Sequence, residues 1–160
     1  MDELRILSLE IQRMPKNPAE TFGDPAHYPY RSVCTISTHD MSTLRGWWHE
    51  DANLTRRYFY DVLSGWGDYP TEAPGWLCDS IVLHHLLGNS MLCILSLQDW
   101  LSINEEVRYP DADAERINVP ANPRHYWRYR MHITLEDLMQ CTILNDRIRD
   151  MIGKSGRINN

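Results

Sequence analysis

The stretch that decides the fold is RSVCTISTHDMSTLRGWW, residues 31–48. Its first half is typical of a β-strand, because Val33, Thr35 and Ile36 favour the extended conformation. The strand is predicted to stop at a polar cluster, Ser37-Thr38-His39-Asp40.

The second half of the same stretch predicts the start of a helix. Ser42 or Thr43 can accept hydrogen bonds from the first free backbone N–H groups of a helix. An apolar helical face follows, made of Leu44, Trp47 and Trp48. A polar pair, His39-Asp40, therefore lies between a strand and a helix.

This position gives the His39-Asp40 pair a possible role in ligand binding. In α/β proteins, ligands bind outside the carboxyl ends of the strands. An ionised Asp beside a His and two Trp suits a sugar or another polyol. The alternative is that Asp40 serves only as a helix N-cap, since Asp is among the most frequent N-cap residues.

Length and charge limit the classes of function. The chain has 160 residues, room for one ordinary domain, and 42% of them are hydrophobic, so a disordered chain is excluded. With 16 basic against 22 acidic residues, the net charge of −6 argues against a nucleic-acid-binding protein. No apolar run has membrane-spanning length. The N-terminus lacks the order of a signal peptide, so the sequence predicts a cytoplasmic protein with no membrane partner.

The cysteines and histidines predict neither a metal nor a cofactor. No two cysteines form a CxxC pair, so a zinc site is not expected and all four are predicted to be reduced core residues. An alternative interpretation makes Cys34 a nucleophile with His39, although nothing in the sequence favours its thiolate. His84 and His85 are adjacent in a predicted helix and point about 100° apart, so they cannot bind one metal together. The four cysteines are Cys34, Cys78, Cys93 and Cys141.

The remaining elements predict a parallel α/β arrangement. Residues 4–13 alternate apolar and polar side chains, which indicates a strand with one apolar face. Residues 91–97 are almost continuously apolar, as in a strand buried on both faces, and end at Gln98-Asp99. Helices are predicted over residues 51–63, 76–87 and 134–152, the last of them capped by Thr134.

A basic, aromatic run offers another interpretation. Arginines alternate with His, Tyr and Trp over residues 124–130, which is suitable chemistry for stacking on single-stranded RNA. The acidic balance of the rest of the chain argues against it.

Two motifs together resemble a known family. They are STHDMSTLRGWW, residues 37–48, and ERINVPANPRHYWRYRM, residues 115–131, with Gln98-Asp99 between them. They resemble the C-terminal part of the 4-α-glucanotransferases of glycoside hydrolase family 77, which include the amylomaltases. The resemblance implies a (β/α)₈ barrel that moves α-1,4-glucan segments between maltooligosaccharides with retention of configuration, without a cofactor.

The same resemblance implies roles for individual residues. Asp40 matches the third catalytic carboxylate, which binds hydroxyls of the transferred sugar and stabilises the transition state. His39 matches the neighbouring residue that binds the same sugar, and Asn118 matches a polar residue of the substrate cleft. Trp127 and Arg128 are expected to give structural support.

The resemblance also implies that part of the active site lies elsewhere. In the family, the nucleophile and the acid/base carboxylate precede the region matched here, and nothing supports Glu10 as a replacement. We therefore expect residues 1–153 to be the C-terminal part of the catalytic domain and residues 154–160 a flexible tail. The isolated chain is expected to be inactive. Because a barrel edge would be exposed, it is also expected to be poorly stable, to associate with itself through that edge, or to be a fragment of a longer gene product. The alternative is a non-catalytic glucan-binding fragment.

Overall fold

The computed structural model describes residues 6–157. In this part of the chain a parallel sheet is formed by β1 (Ser8–Ile11), β2 (Ser32–Thr35) and β3 (Leu92–Cys93), in that order. The helices are α1 (Leu44–Glu50), α2 (Ala52–Arg57), α3 (Gly75–Leu86), α4 (Leu97–Leu101), α5 (Leu135–Gln140) and α6 (Thr142–Lys154). One π-helical turn, Tyr58–Val62, continues α2, and short 3₁₀ turns lie at Pro25–His27 and Asp113–Glu115. The predicted parallel α/β class is confirmed.

The core lies among α1, α2 and α3 and is rich in aromatic rings. Trp48 and Tyr58 are almost fully buried, and Trp47 packs edge-on against both of them. The predicted apolar face of the first helix is thus confirmed, because residues spaced three and four apart share one side of a helix.

The two faces of the sheet differ in character. In the strand register, Leu9, Val33 and Leu92 form one row, and Glu10, Cys34 and Cys93 form the next. Successive residues of a strand point to opposite faces. Cys34 is fully buried, whereas Leu9 is 49% exposed and Leu92 is 42% exposed. The polar side of β1 is therefore covered and its apolar side is open. Residues 4 and 5 of the predicted strand lie outside the described residues.

The third strand differs from its prediction. Only two residues pair with β2, and Met91, Leu92 and Ile94 are all at least 40% exposed. Burial on both faces is therefore wrong for this segment in residues 6–157. The polar pair Gln98-Asp99 lies inside α4, which starts after the Ser96 N-cap, and not at a strand end.

The predicted last helix is two helices. Thr134 caps α5 as expected, but the helix is interrupted at Cys141, whose backbone is not helical, before α6 begins. Lys154 is the last residue of α6, and the Arg157 guanidinium donates to the carbonyl oxygens of Leu86, Gly88 and Ser90. Residues 158–160 of the predicted tail lie outside the described residues.

Among residues 6–157, no helix is both long and apolar enough to cross a bilayer.

Candidate functional site

Asp40 is held between two polar side chains just beyond the end of β2. The Asn118 side-chain amide donates to Asp40 Oδ1 at 2.6 Å. His39 Nε2 lies 3.4 Å from the other oxygen, Oδ2. The side chains of His39 and Asp40 are each 54% exposed, so the carboxylate is oriented yet open to a ligand. The structure thus brings together all three residues that the sequence predicted for the site.

An indole completes this group of side chains. The ring centroids of His39 and Trp127 are 5.3 Å apart, at an angle of 51°. Trp127 is 64% exposed, and Arg128 is exposed as well. Neither side chain is packed in the core, so the expected role of these two residues in structural support stays a prediction. Trp127 offers an apolar ring face beside His39 and Asp40.

Asp40 does not cap the helix that follows it. Thr43 is the N-cap of α1, and its hydroxyl oxygen accepts from the Gly46 backbone N–H at 3.3 Å. The alternative that Asp40 serves only as a helix cap is thus wrong. Asp40 sits in the turn before α1, where its own backbone N–H faces Thr38 Oγ1 at 3.4 Å.

A buried carboxylate fixes the turn that carries His39 and Asp40. Asp99, in α4, is fully buried; it accepts from the Ser37 hydroxyl and, at 2.9 Å, from the Leu44 backbone N–H. These two donors lie on either side of the turn, so Asp99 ties the end of β2 to the start of α1. Burial raises the pKa of Asp99, while the hydrogen bonds oppose that rise.

A second buried carboxylate positions the segment that carries Asn118. Glu115 is 1% exposed and accepts from the Thr43 hydroxyl at 2.9 Å and from the Arg45 guanidinium at 2.6 Å. Burial raises the pKa of Glu115, and the nearby charge of Arg45 opposes the rise. Thr43 and Arg45 lie at the start of α1, in the first motif, and Glu115 begins the second motif. Their hydrogen bonds therefore join the two motifs of the sequence.

The backbone around Asn118 is fixed on both sides. Arg116 donates its Nε–H to the Asn118 carbonyl oxygen at 2.9 Å and pairs with Glu50 at 3.1 Å. His125 Nε2 lies 2.9 Å from the Ile117 carbonyl oxygen and donates to it. The loop that presents Asn118 to Asp40 is therefore held by specific bonds.

Other candidates do not join this site. The thiol of Cys34 contacts the His85 carbonyl oxygen and Cys93, and the hydrogen bond with Cys93 lowers its pKa. Those partners give no support to a Cys34 nucleophile acting with His39. Glu10 accepts from the Ser8 hydroxyl and pairs with Lys16. Within residues 6–157, no group of three or more His, Cys, Asp or Glu side chains is arranged to hold a metal ion.

Sequence reasoning missed the supporting residues Glu115 and Arg45. Arg45 lies inside the first of the two motifs and Glu115 inside the second, and this location was the sequence signal that could have found them. Charged residues are almost never fully buried unless they are paired, and the partner here is 70 positions away in sequence.

The chain is similar in sequence to proteins of known family. A family model described as 4-alpha-glucanotransferase, glycoside hydrolase family 77, matches residues 1–135. The 4-alpha-glucanotransferase DPE2 of rice, Oryza sativa subsp. japonica, is 39% identical over 157 residues, which are 98% of this chain and 17% of the rice protein. The 4-alpha-glucanotransferase of Chlamydia trachomatis is 27% identical over 139 residues, 83% of this chain and 26% of that protein.

The fold is also similar to a solved structure. The amylomaltase from Streptococcus agalactiae in complex with acarbose aligns with a TM-score of 0.72 and 16% identity, over 99% of this chain and 29% of the amylomaltase. The chain thus spans less than a third of the length of each of these relatives. With the family model covering residues 1–135 and the rice protein matching nearly every residue, the chain belongs to the 4-alpha-glucanotransferases of glycoside hydrolase family 77.

Proposed function

We propose that this chain supplies the transition-state-stabilising part of a 4-α-glucanotransferase active site. The observation that carries the proposal is the Asp40 carboxylate, half exposed beyond a parallel strand and held by Asn118 and His39. Membership of the family supplies the reaction, which is the transfer of α-1,4-glucan segments between maltooligosaccharides.

The proposed chemistry places each side chain against the transferred glucose. The transition state resembles an oxocarbenium ion, and hydrogen bonds to ring hydroxyls that strengthen there contribute several kcal/mol. Asp40 accepts from two of these hydroxyls, while His39 binds one from the side. The exposed face of Trp127 packs against the sugar's C–H groups, since an aromatic ring with a polar edge suits a surface that is partly apolar and partly wet.

The covalent step needs two further carboxylates. A retaining transfer uses a nucleophile and an acid/base about 5–5.5 Å apart. The buried acids near Asp40 are already engaged, Asp99 with Ser37 and Leu44, and Glu115 with Arg45. We therefore assign the nucleophile and the acid/base to a part of the protein that precedes the matched region, as the family resemblance implies.

The architecture supports this assignment. We infer that β1, β2 and β3 are neighbouring strands of a (β/α)₈ barrel, because they are parallel and the apolar row of Leu9, Val33 and Leu92 is left open. A barrel would cover that row with its own interior layers. In an isolated chain the same row and the free strand edges would favour self-association. A cytoplasmic location stays a prediction from the sequence.

Maltotriose disproportionation, followed by glucose release, tests the proposal. We expect the isolated 160-residue chain to be inactive and a form extended at its N-terminus to be active. In the active form, Asp40→Asn should lower kcat about a thousandfold, which is several kcal/mol of lost transition-state stabilisation. Asp146→Asn is the matched control, since Asp146 is an exposed surface residue of α6.

Two results would overturn the proposal. Activity of the extended form that survives Asp40→Asn would remove Asp40 from the site. The second result is that maltooligosaccharide protects tryptophan fluorescence from a quencher, and Trp127→Phe removes this protection, while neither form transfers glucan. That result would make the protein a glucan-binding fragment.

A further inference from the structure

A cavity of about 500 Å³ lies next to the Asp40 site and has a different character. It is formed by the loop between residues 109 and 130. Its charged lining consists of four arginines, Arg116, Arg124, Arg128 and Arg130. The residues that line it in the described part of the chain include no Asp and no Glu.

This concentration of positive charge is unusual for the chain, whose net charge is −6. Arg116 is paired with Glu50. The ion pairs found within residues 6–157 do not include Arg124, Arg128 or Arg130, so these three guanidinium groups have no carboxylate partner there. Guanidinium groups bind phosphate oxygens in a planar, two-pronged geometry, and several of them around one cavity favour a doubly charged anion.

Tyrosines add a surface for a ring. Tyr109, Tyr126 and Tyr129 line the same cavity, and the guanidinium of Arg128 lies 5.4 Å from the centre of the Tyr126 ring. Burial raises the pKa of Tyr129, so its hydroxyl stays protonated and can donate a hydrogen bond. Pockets that combine aromatic faces with a few polar groups bind small molecules. A bare inorganic anion would leave the rings unused.

Two residues connect the cavity to the Asp40 site. Trp127, between two residues of the cavity lining, contacts the His39 ring. Arg116 lines the cavity and also donates to the Asn118 carbonyl oxygen. The cavity and the groups proposed to hold the transferred glucose are thus connected through Trp127 and Arg116.

From these observations we propose that the cavity binds the phosphoryl group of a glucose phosphate, with Arg124, Arg128 and Arg130 around the phosphate and the tyrosines around the sugar. The phosphate could be carried by a free hexose phosphate or by a phosphorylated glucan, since both present a phosphomonoester on a glucose ring. The sugar part of this assignment rests on the proposed function, whereas the anion site rests on the arginines alone.

Calorimetry and phosphorus NMR with the purified chain test the proposal. The probes are glucose 6-phosphate, inorganic phosphate, glucose, and a phosphorylated maltodextrin before and after phosphatase treatment. We expect glucose 6-phosphate to bind at least tenfold more tightly than phosphate, and glucose not to bind. A phosphorylated maltodextrin that binds more tightly than glucose 6-phosphate, and loses this advantage after phosphatase, identifies the glucan as the source. The reverse order identifies the free hexose phosphate.

Variants separate this site from the proposed active site. Arg124→Gln combined with Arg128→Gln should weaken glucose 6-phosphate binding at least tenfold; both residues are exposed, and thermal unfolding checks that the chain still folds. Arg149→Gln, an exposed arginine of α6, is the matched control and should bind as the unaltered chain does. Asp40→Asn should leave this binding unchanged, although the same change lowers transfer by the extended form about a thousandfold.

The proposal is overturned if the double variant binds glucose 6-phosphate as well as the control variant does. It is also overturned if phosphate alone binds as tightly as the sugar phosphate, which would leave a simple anion site. Tighter binding of a short single-stranded RNA than of glucose 6-phosphate, with a steep dependence on salt, would assign the arginines to nucleic acid instead.

Discussion

A hydrogen bond from the Asn118 side-chain amide orients the carboxylate at the centre of the candidate site. Without the Asn118 amide, one oxygen of Asp40 would lose its 2.6 Å donor and the side chain could rotate. Preorganised groups contribute to catalysis because they need no rearrangement during the reaction. Asn118 is therefore a positioning residue, and its effect should differ from that of a residue that only binds substrate.

Asn118→Ala should lower kcat about 10- to 100-fold in an active form of the protein, with little change in KM, because orientation matters most in the transition state. Steady-state kinetics with maltotriose measures both constants. Asn53→Ala, at an exposed position of α2, is the control. A raised KM with an unchanged kcat would show that Asn118 binds substrate and does not position Asp40.

The burial of His85 predicts that the fold is sensitive to acid. It is 1% exposed; Nδ1 donates to the Ile81 carbonyl oxygen at 2.8 Å, and Nε2 has no partner within residues 6–157. Burial lowers the pKa of His85 from 6.5 to about 4. Between these two values the unfolded chain takes up a proton that the folded chain does not. The free energy of unfolding should therefore fall as the pH drops through this window, by up to about 3 kcal/mol.

His85→Leu should remove this part of the acid sensitivity and cost little at pH 7, because it also removes an unsatisfied buried nitrogen. Urea unfolding from pH 7 to 4 gives the free energy at each pH. His27→Gln, at a histidine whose side chain is 85% exposed, should keep the full decline. Parallel curves for the unaltered chain and His85→Leu would show that His85 does not cause it.

At the residue scale, the sequence predicted His39, Asp40 and Asn118 and left out what supports them. A polar pair between a strand and a helix can be recognised locally, and the resemblance brought Asn118 to it. Asp99 and Glu115 depend on buried partners that lie 55 to 72 residues away in sequence. No local pattern contains that information.

Helix α1 links the two motifs through its first turn. The Thr43 hydroxyl accepts from the Gly46 N–H and donates to Glu115 Oε2, so one side chain both caps the helix and satisfies a buried carboxylate. Losing an N-cap costs about 0.5–2 kcal/mol, and a buried charged group that loses a donor adds to this.

Thr43→Ala should therefore lower the free energy of unfolding by about 2–3 kcal/mol, and Thr43→Ser should lower it by much less, since serine keeps the hydroxyl. Urea unfolding at pH 7 measures the difference. Thr142→Ala, at an exposed position at the start of α6, controls for the replacement of threonine by alanine where the hydroxyl is not buried. Equal losses for the alanine and serine variants would show that the hydroxyl is not what stabilises α1.

Strong local signals gave the correct elements, and weak ones did not. The start of α1 follows from the Thr43 cap, and α3 ends just before Gly88, close to the predicted stop. Residues 91–97 were expected to be buried on both faces because their pattern is continuously apolar. Such a pattern reports what a strand is suited to contact, not whether the contact is present, and here Ile94 is 58% exposed.

On the scale of the whole molecule, the sheet has one covered face and one open face. Helix α3 covers the side of Cys34, whose thiol bonds to the His85 carbonyl. The opposite side presents the row of Leu9, Val33 and Leu92. The chain spans only 17% of the length of the rice relative. If the rest of such a protein forms a barrel that covers this face, the face is open in the shorter chain. Exposed apolar rows and free strand edges favour association between copies.

We therefore expect the isolated chain to associate through this face, with an apparent mass that rises with concentration in sedimentation or light-scattering measurements. Leu9→Lys combined with Leu92→Lys should shift the chain to the monomer, because two charges on the open face would have to be desolvated in any contact. The control, Leu87→Lys with Leu135→Lys, alters leucines that are 58% and 64% exposed on helical parts of the chain and should leave association unchanged. Equal association of both double variants would place the contact elsewhere and would remove the open sheet face as its cause.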